Sequence, residues 1–278
     1  MTVAGHSPLG RAVAYPDRSD TALLFPIPRA QTRAELDFDD RALTFAGTDI
    51  WNAYELSWLD AHGQPRVAVA ELRVPAESPN LVESKSLKLY LNGYAHERFG
   101  DSTDMRVRIA RDLSHAAGAQ VEVALIEPRD FATLRIAEPP GESLDGQQLE
   151  IVDYGPPQPE HLRAHSSSTT IEESLTTQLF RSNCPVTGQP DWASVQLRYR
   201  GAPIDHAGLL RYLVSYRNHA AFHEACVERI FVEVMQRCAP QALSVYARFS
   251  RRGGLDINPW RATPGFGASP INTRGARQ

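Results

Sequence analysis

Tyr54-Glu-Leu-Ser-Trp-Leu-Asp-Ala-His-Gly-Gln-Pro-Arg-Val-Ala-Val-Ala-Glu-Leu72 holds two extended runs, Glu55–Leu59 and Arg66–Leu72, on either side of the turn-forming Asp60–Pro65. That order predicts a β-hairpin. The chain then changes period. Glu83 to about Phe99 carries Leu87, Tyr90, Leu91 and Tyr94 at helical spacing, with Lys85, Lys88 and Asn92 on another face, which predicts an amphipathic helix. Thr103 to Ala117 has Asp104 near its start and Gly118 at its end, the order of signals for a second helix. Gln120–Ile126 alternates like a strand, and Thr133–Ala137 reads as a fourth.

The second half repeats the order. Strands are predicted at Thr176–Phe180 and Ala193–Tyr199, helices at His206–Arg217 and Ala220–Cys238, and a strand at Ala242–Phe249. Val227, Ile230, Phe231, Val234, Met235 and Cys238 form one stripe, the pattern of a helix laid on a sheet, and Cys226 and Cys238 read as core. Paired strands and paired helices in runs predict an α+β class with largely antiparallel sheets, duplicated in tandem. The expected division is an N-terminal arm over 1–40, a first unit over 41–150, a proline-broken connector over 151–168 and a second unit over 169–278.

The net charge of −4 over 278 residues and a pI near 6.1 argue against a broad surface for nucleic acid or anionic lipid. No apolar run of about 18 residues and no secretion-signal order appear, so the expectation is a cytoplasmic protein with no membrane partner. Three cysteines without a CxxC pair fit free thiols rather than a disulfide framework.

Cys184 lies between Asn183 and Pro185, with Gly188 and Pro190 downstream, so it sits on a turn where it can meet a substrate. Asp191, seven residues on, supplies an acid that can return a proton to whatever a thiolate attacks, although a lone cysteine is also a common apolar filler. Glu83 at the start of the first long helix, and Glu224 beside His223 in what reads as the equivalent place of the second half, can each accept paired N–H groups from a purine edge. A charge that favours a helix start explains each glutamate equally well. His219 and His223, read as four apart on one helix, and His161 and His165 have zinc-pair spacing with Cys184 as a conceivable third ligand, a weak signal, and no metal is expected. Arg251-Arg-Gly-Gly254 allows close backbone approach and bidentate phosphate contact, and no GxGxxG or Walker-type loop occurs.

Val82-Glu-Ser-Lys-Ser-Leu-Lys-Leu-Tyr-Leu-Asn92, Ser182-Asn-Cys-Pro-Val-Thr-Gly-Gln-Pro-Asp-Trp192, Phe222-His-Glu224 and Arg252-Gly-Gly-Leu-Asp-Ile-Asn-Pro259, in this order and spacing, resemble the NADPH-dependent 7-cyano-7-deazaguanine reductases of queuosine biosynthesis, in their long, two-unit form. The resemblance implies tandem tunnelling-fold units, ββααββ-like with packed helix pairs, assembled as a homodimer, and reduction of a nitrile to a primary amine with two NADPH. It further implies that Cys184 forms a covalent thioimide and Asp191 protonates the nitrogen. Val82, Glu83, Ser84, His223 and Glu224 would hold the deazapurine, and Ser84, Lys85, Arg252 and Gly253 the NADPH, the last two from the other unit. The site would then form where two units meet, within a chain or across chains. A zinc-dependent purine or pterin cyclohydrolase on the same architecture, and a non-catalytic purine-binding or tRNA-associated module, are the competing readings.

Overall fold

A computed structural model describes residues 14–34, 36, 44–166 and 169–278. The described residues cluster into two compact units, the first within Met1–Arg33, Thr48–Arg135 and Arg251–Ile257, the second within Ala34–Gly47, Ile136–Ser250 and Asn258–Gln278. Residues 1–13, 35 and 37–40 of the expected N-terminal arm, and 167–168 of the connector, lie outside the described residues.

The first unit comprises β1 (Pro26–Pro28), α1 (Arg29–Arg33), β2 (Ala46–Leu59), β3 (Pro65–Pro75), β4 (Asn80–Val82), α2 (Ser84–Asn92), α3 (Ser102–Ala117) and β5 (Glu122–Ile126). The expected hairpin is β2 and β3, antiparallel, with β5 antiparallel to β3 on the far side. Both arms run longer than their alternation, because a bulge between Ala53 and Leu56 breaks the period of two. One face of this sheet buries Trp51, Leu56, Trp58, Ala70 and Leu72 against Leu87, Tyr90 and Tyr94 from the α2 segment and Ile109 and Leu113 of α3. The segment before β2 also contributes. β1 pairs with β4, and Arg29, 1% exposed, is buried in an ion pair with Asp49 of β2 at 2.5 Å.

The second unit contains β6 (Glu142–Ser143), β7 (Ile171–Asn183), β8 (Pro190–Gly201), α4 (His206–Ser215), α5 (His223–Cys238), β9 (Ala242–Phe249) and most of β10 (Leu255–Ala262). Its strand order is β10-β9-β8-β7-β6, antiparallel except for the short β6 beside β7. The stripe on α5 is core as expected, with Val227, Ile230, Phe231 and Val234 fully buried. Arg261, fully buried, reaches the same Glu228 oxygen with Nε at 3.0 Å and Nη2 at 2.8 Å, which links β10 to α5. Such a pair fixes register more than it adds stability, because two charges leave water to form it.

The α+β class with antiparallel-rich sheets is therefore present. Two local expectations are corrected. Thr133–Ala137 is not a strand: Thr133 ends a 3-10 turn, and Ile136 makes only a single bridge to Arg274. Leu134 and Ile136 are 44% and 61% exposed, so the run has no partner face to bury its alternating side chains. His219 and His223 do not share a helix, because His219 caps the 3-10 turn Tyr216–Asn218 and α5 starts at His223.

Candidate active site

The second unit builds its site at the hairpin end of β7 and β8. Cys184 follows the last residue of β7, and its backbone N–H donates to the Gln189 carbonyl at 2.9 Å while its carbonyl accepts from Gly188 N–H at 3.0 Å. Gly188 takes φ +68°, a conformation that glycine adopts without a Cβ penalty. The turn is pinned again from outside. Asn183 N–H donates to the His219 carbonyl at 2.8 Å, and the Asn183 carbonyl accepts from Ala221 N–H at 3.1 Å. Cys184 is thus held by the backbone in a turn and is only 3% exposed.

Asp191 stands opposite Ser182 across β7 and β8, 7% exposed, and its Oδ2 lies 3.3 Å from His223 Nε2. The His223 ring is stacked on Phe249, centroids 3.8 Å apart and planes 2° from parallel, which fixes the edge it turns to Asp191. Glu224 is buried at 4% exposure in the first turn of α5, where the helix N-terminus favours its charge. Burial pushes the Cys226 thiol up to about 12; the Ser182 hydroxyl pulls the other way, and the Asp191 and Glu224 charges add to the rise. Asp191, Glu224 and the end of β7 at Ser182 therefore share one electrostatic neighbourhood. Ser182, fully buried, and Phe249 belong to it too, and only cross-strand pairing, invisible in linear order, brings them there.

In the first unit Glu83 is the N-cap of α2, more specific than a first-turn charge. Its Oε1 accepts from Lys85 N–H at 2.7 Å and its Oε2 from Ser86 N–H at 2.9 Å. Burial raises its pKa above the ordinary value, and those two backbone bonds oppose the rise. Val82 ends β4, and Ser84 and Lys85 open α2. Arg252 forms a tight turn with Leu255, its N–H donating to the Leu255 carbonyl at 2.8 Å, and Gly253 and Gly254 fill the turn at φ +62° and +81°. A Cβ on Gly253 would stand 3.2 Å from Lys88 Nζ, and one on Gly254 would collide with the Glu55 carboxylate at 2.4 Å. A shallow groove lined by Leu56, Lys88, Asn92, Gly253 and Gly254 runs over this turn, and Lys88 joins the basic residues that sequence spacing had singled out. Arg252 and Gly253 cluster with the first unit rather than the second.

Glu83 and Glu224 do not occupy equivalent places. Glu83 caps the first helix of its unit, whereas Glu224 sits at the start of the second helix of its unit. Among the described residues, no group of three or more His, Cys, Asp or Glu stands in metal-ligating geometry. No helix there is long and apolar enough to cross a membrane.

Two family models match the chain: the nitrile reductase, 7-cyano-7-deazaguanine-reductase N-terminal model over residues 15–125, and the QueF-like protein model over residues 190–265. A NADPH-dependent 7-cyano-7-deazaguanine reductase of Bordetella avium is 57% identical over 272 residues, 98% of each chain. Its namesake in Stenotrophomonas maltophilia is 57% identical over the full length of both, and that of Burkholderia vietnamiensis is 55% identical over 98% of both. The chain belongs to the NADPH-dependent 7-cyano-7-deazaguanine reductase family.

Proposed function

We propose, from that membership, that the chain reduces the nitrile of 7-cyano-7-deazaguanine to the aminomethyl product at the expense of two NADPH, in queuosine biosynthesis for tRNA modification. The observation that supports it best is the backbone-pinned turn that holds Cys184 beside a strand whose buried Asp191 contacts His223. Cys184 Sγ adds to the nitrile carbon, forming a C–S bond and leaving a C=N thioimide, and the nitrogen takes its proton from Asp191. Covalent addition turns a poor hydride acceptor into an imine-like carbon and splits one hard step into easier ones. His223, fixed by Phe249, orients Asp191 and contacts substrate. When the amine is complete the C–S bond has broken and Cys184 is free again.

Glu83 and Glu224 accept the N–H groups of the deazapurine edge, with Val82 and Ser84 beside it. A buried carboxylate suits this role, because ligand donors restore hydrogen bonds that burial removed. NADPH, when bound, supplies the hydride for each reduction. Ser84 and Lys85 at the α2 N-terminus, with Arg252 and Gly253 at the glycine turn, would hold it. The fit rests on the glycine turn, whose positive φ at Gly253 and Gly254 leaves its backbone free of side chains for a close approach, and on the basic side chains around it. We further propose a tandem tunnelling fold working as a homodimer in the cytoplasm, with neither nucleic acid nor membrane as a direct partner; the antiparallel-rich α+β units support the fold part of that reading.

The test is to mix protein, nitrile substrate and NADPH, follow nicotinamide absorbance, and look for a mass increase on Cys184 in the absence of NADPH. Two NADPH should be consumed per nitrile. Asp191→Asn should still form the adduct but turn over about 10²–10⁴-fold more slowly. Turnover unchanged in that variant rejects the proton-donor role.

A further inference from the structure

We infer that Arg181, Arg217 and Arg277, gathered round Trp192, form a binding site for a phosphate group. Their guanidinium carbons lie 5.5, 5.4 and 5.8 Å from the indole centroid. They come from β7, from the 3-10 turn after α4 and from the C-terminal segment, so the fold rather than local sequence assembles them. Trp192 follows Asp191 on β8, and successive strand residues point to opposite faces, so this cluster lies on the other side of the sheet from the Asp191–His223 contact.

No carboxylate pairs with the cluster among the described residues. Four other arginines that rest on rings are neutralised: Arg108 over Tyr94 pairs with Glu97, Arg198 and Arg200 over Phe266 pair with Glu172, and Arg261 over Phe45 pairs with Glu228; the single Arg251 over Tyr54 has no ion pair among the described residues, but there one charge stands alone rather than three together. Among the described residues none of the three arginines at Trp192 has an ion pair. Arg181 donates Nη2 to Asn183 Oδ1 at 3.2 Å and keeps a buried Nε without an acceptor, and Arg277 donates Nη1 to the Gln178 carbonyl at 2.7 Å. The nearby Glu138 spends its oxygens on Ala276 N–H and the Gln178 side chain. Three like charges on one indole repel, and the ring orients guanidinium planes without cancelling their charge. A phosphate group supplies both the missing negative charge and oxygens for paired N–H donors. It could be free orthophosphate or the 2′-phosphate of the cofactor; only the second source rests on the proposed function.

Trp51, Trp58 and Trp260 are 9% exposed or less while Trp192 is 36% exposed, so Trp192 fluorescence reports on this site. Orthophosphate titrated at constant ionic strength, with chloride as make-up, should give a saturable fluorescence change that disappears in Trp192→Phe. Affinity should fall at least about tenfold in Arg217→Gln/Arg277→Gln, whose thermal unfolding should match the parent; Arg277→Gln alone, a surface change, should give a smaller loss in the same direction. NADP⁺ displacing phosphate where NAD⁺ does not would assign the source to the cofactor, and failure of both would assign it to free phosphate. No phosphate-specific change, or equal affinity in the double variant, overturns the site. Either of those results leaves nitrile-dependent NADPH oxidation untouched, so the two readings fail separately.

Discussion

The hairpins of the two units are built alike and end differently. In β2 and β3 the bulge falls between Ala53 and Leu56 and the last pair is Leu59 with Pro65; in β7 and β8 the bulge falls between Thr177 and Phe180 and the last pair is Asn183 with Pro190. The end of each first strand is pinned the same way. Leu59 N–H donates to the Glu97 carbonyl at 2.9 Å and Phe99 N–H to the Leu59 carbonyl at 2.8 Å, matching the two bonds that Asn183 makes with His219 and Ala221. The helices repeat as well. Tyr90 and Tyr94 share a 2.7 Å hydrogen bond and Tyr90 reaches Asp112, while Tyr212 and Tyr216 share one of 2.7 Å and Tyr212 reaches Glu233. Yet where the first hairpin puts Asp60, whose Oδ1 accepts from His62 and Gln64 N–H groups to close its own turn, the second puts Cys184. One frame thus carries a self-satisfied turn in one unit and, in the other, the cysteine proposed as nucleophile.

The sharpest way to break this comparison is to empty both turns. Cys184→Ala should lower turnover by about 10⁴-fold or more, since the nucleophile acts with its partners as a unit. Asp60→Ala should leave turnover unchanged and cost about 1 kcal/mol of stability, measured by urea unfolding, because only turn hydrogen bonds and an exposed ion pair with Arg66 are lost. Equal losses of activity would mean that the turns are not functionally distinct.

Next come the two caps of first helices, Glu83 on α2 and Asp205 on α4, which accepts from Ala207 N–H at 3.1 Å. Glu83→Gln should raise KM for the nitrile by about 10–100-fold through loss of a charged hydrogen-bond acceptor, whereas Asp205→Asn should leave KM alone. The two variants differ in pH dependence too. Burial raises the Glu83 pKa above 4.5, so the folded state binds this proton more tightly than the unfolded one and its contribution to stability falls as pH rises from 4.5 through the raised value. Glu83→Gln should lack that fall, and parallel unfolding curves at acid and neutral pH would read it.

Smaller effects test the repeat itself. Tyr90→Phe and Tyr212→Phe should each cost about 1–3 kcal/mol, by leaving a buried hydroxyl and carboxylate short of a partner, and by similar amounts. A cost confined to one unit would show that the tyrosine pairs play different parts. Smallest are the helix ends: Ala239 after α5 holds φ +45°, where Gly118 after α3 holds +72°. Ala239→Gly should stabilise by up to about 1 kcal/mol, whereas Gly118→Ala should destabilise by more, since its Cβ would stand 2.5 Å from Pro79 Cγ.

Much of this was legible in the sequence where the signal is local. The strand Ala242–Phe249 and the second helix of each unit appear almost as their periodicity predicts, and Cys184 lies on its turn because proline and glycine mark it. Signals that depend on distant partners were not. β1 and β4 are too short to show a period, β10 is masked by Pro259, and the bulge at Ala53 truncates a hairpin that continues beyond it, whereas the expected Thr176–Phe180 spans its bulge but stops short of both ends of β7. Glu83 and Glu224 looked equivalent because each opens a helix; the element order and the matched tyrosine pairs on α2 and α4 show that the helices are a first and a second. The contact of Asp191 with His223, and the three arginines on Trp192, join residues that lie far apart along the chain.

The backbone pins at Leu59 and Asn183 have a consequence for how such a turn can change. Because main-chain atoms pin the strand end, its position does not depend on the side chain that follows it, while the turn beyond keeps its own requirements, the Asp60 carboxylate in the first unit and Gly188 at φ +68° in the second. The residue that follows the pinned strand end can then be exchanged by point substitution without refolding the unit, so the second hairpin is a socket into which a chosen reactive side chain could be engineered.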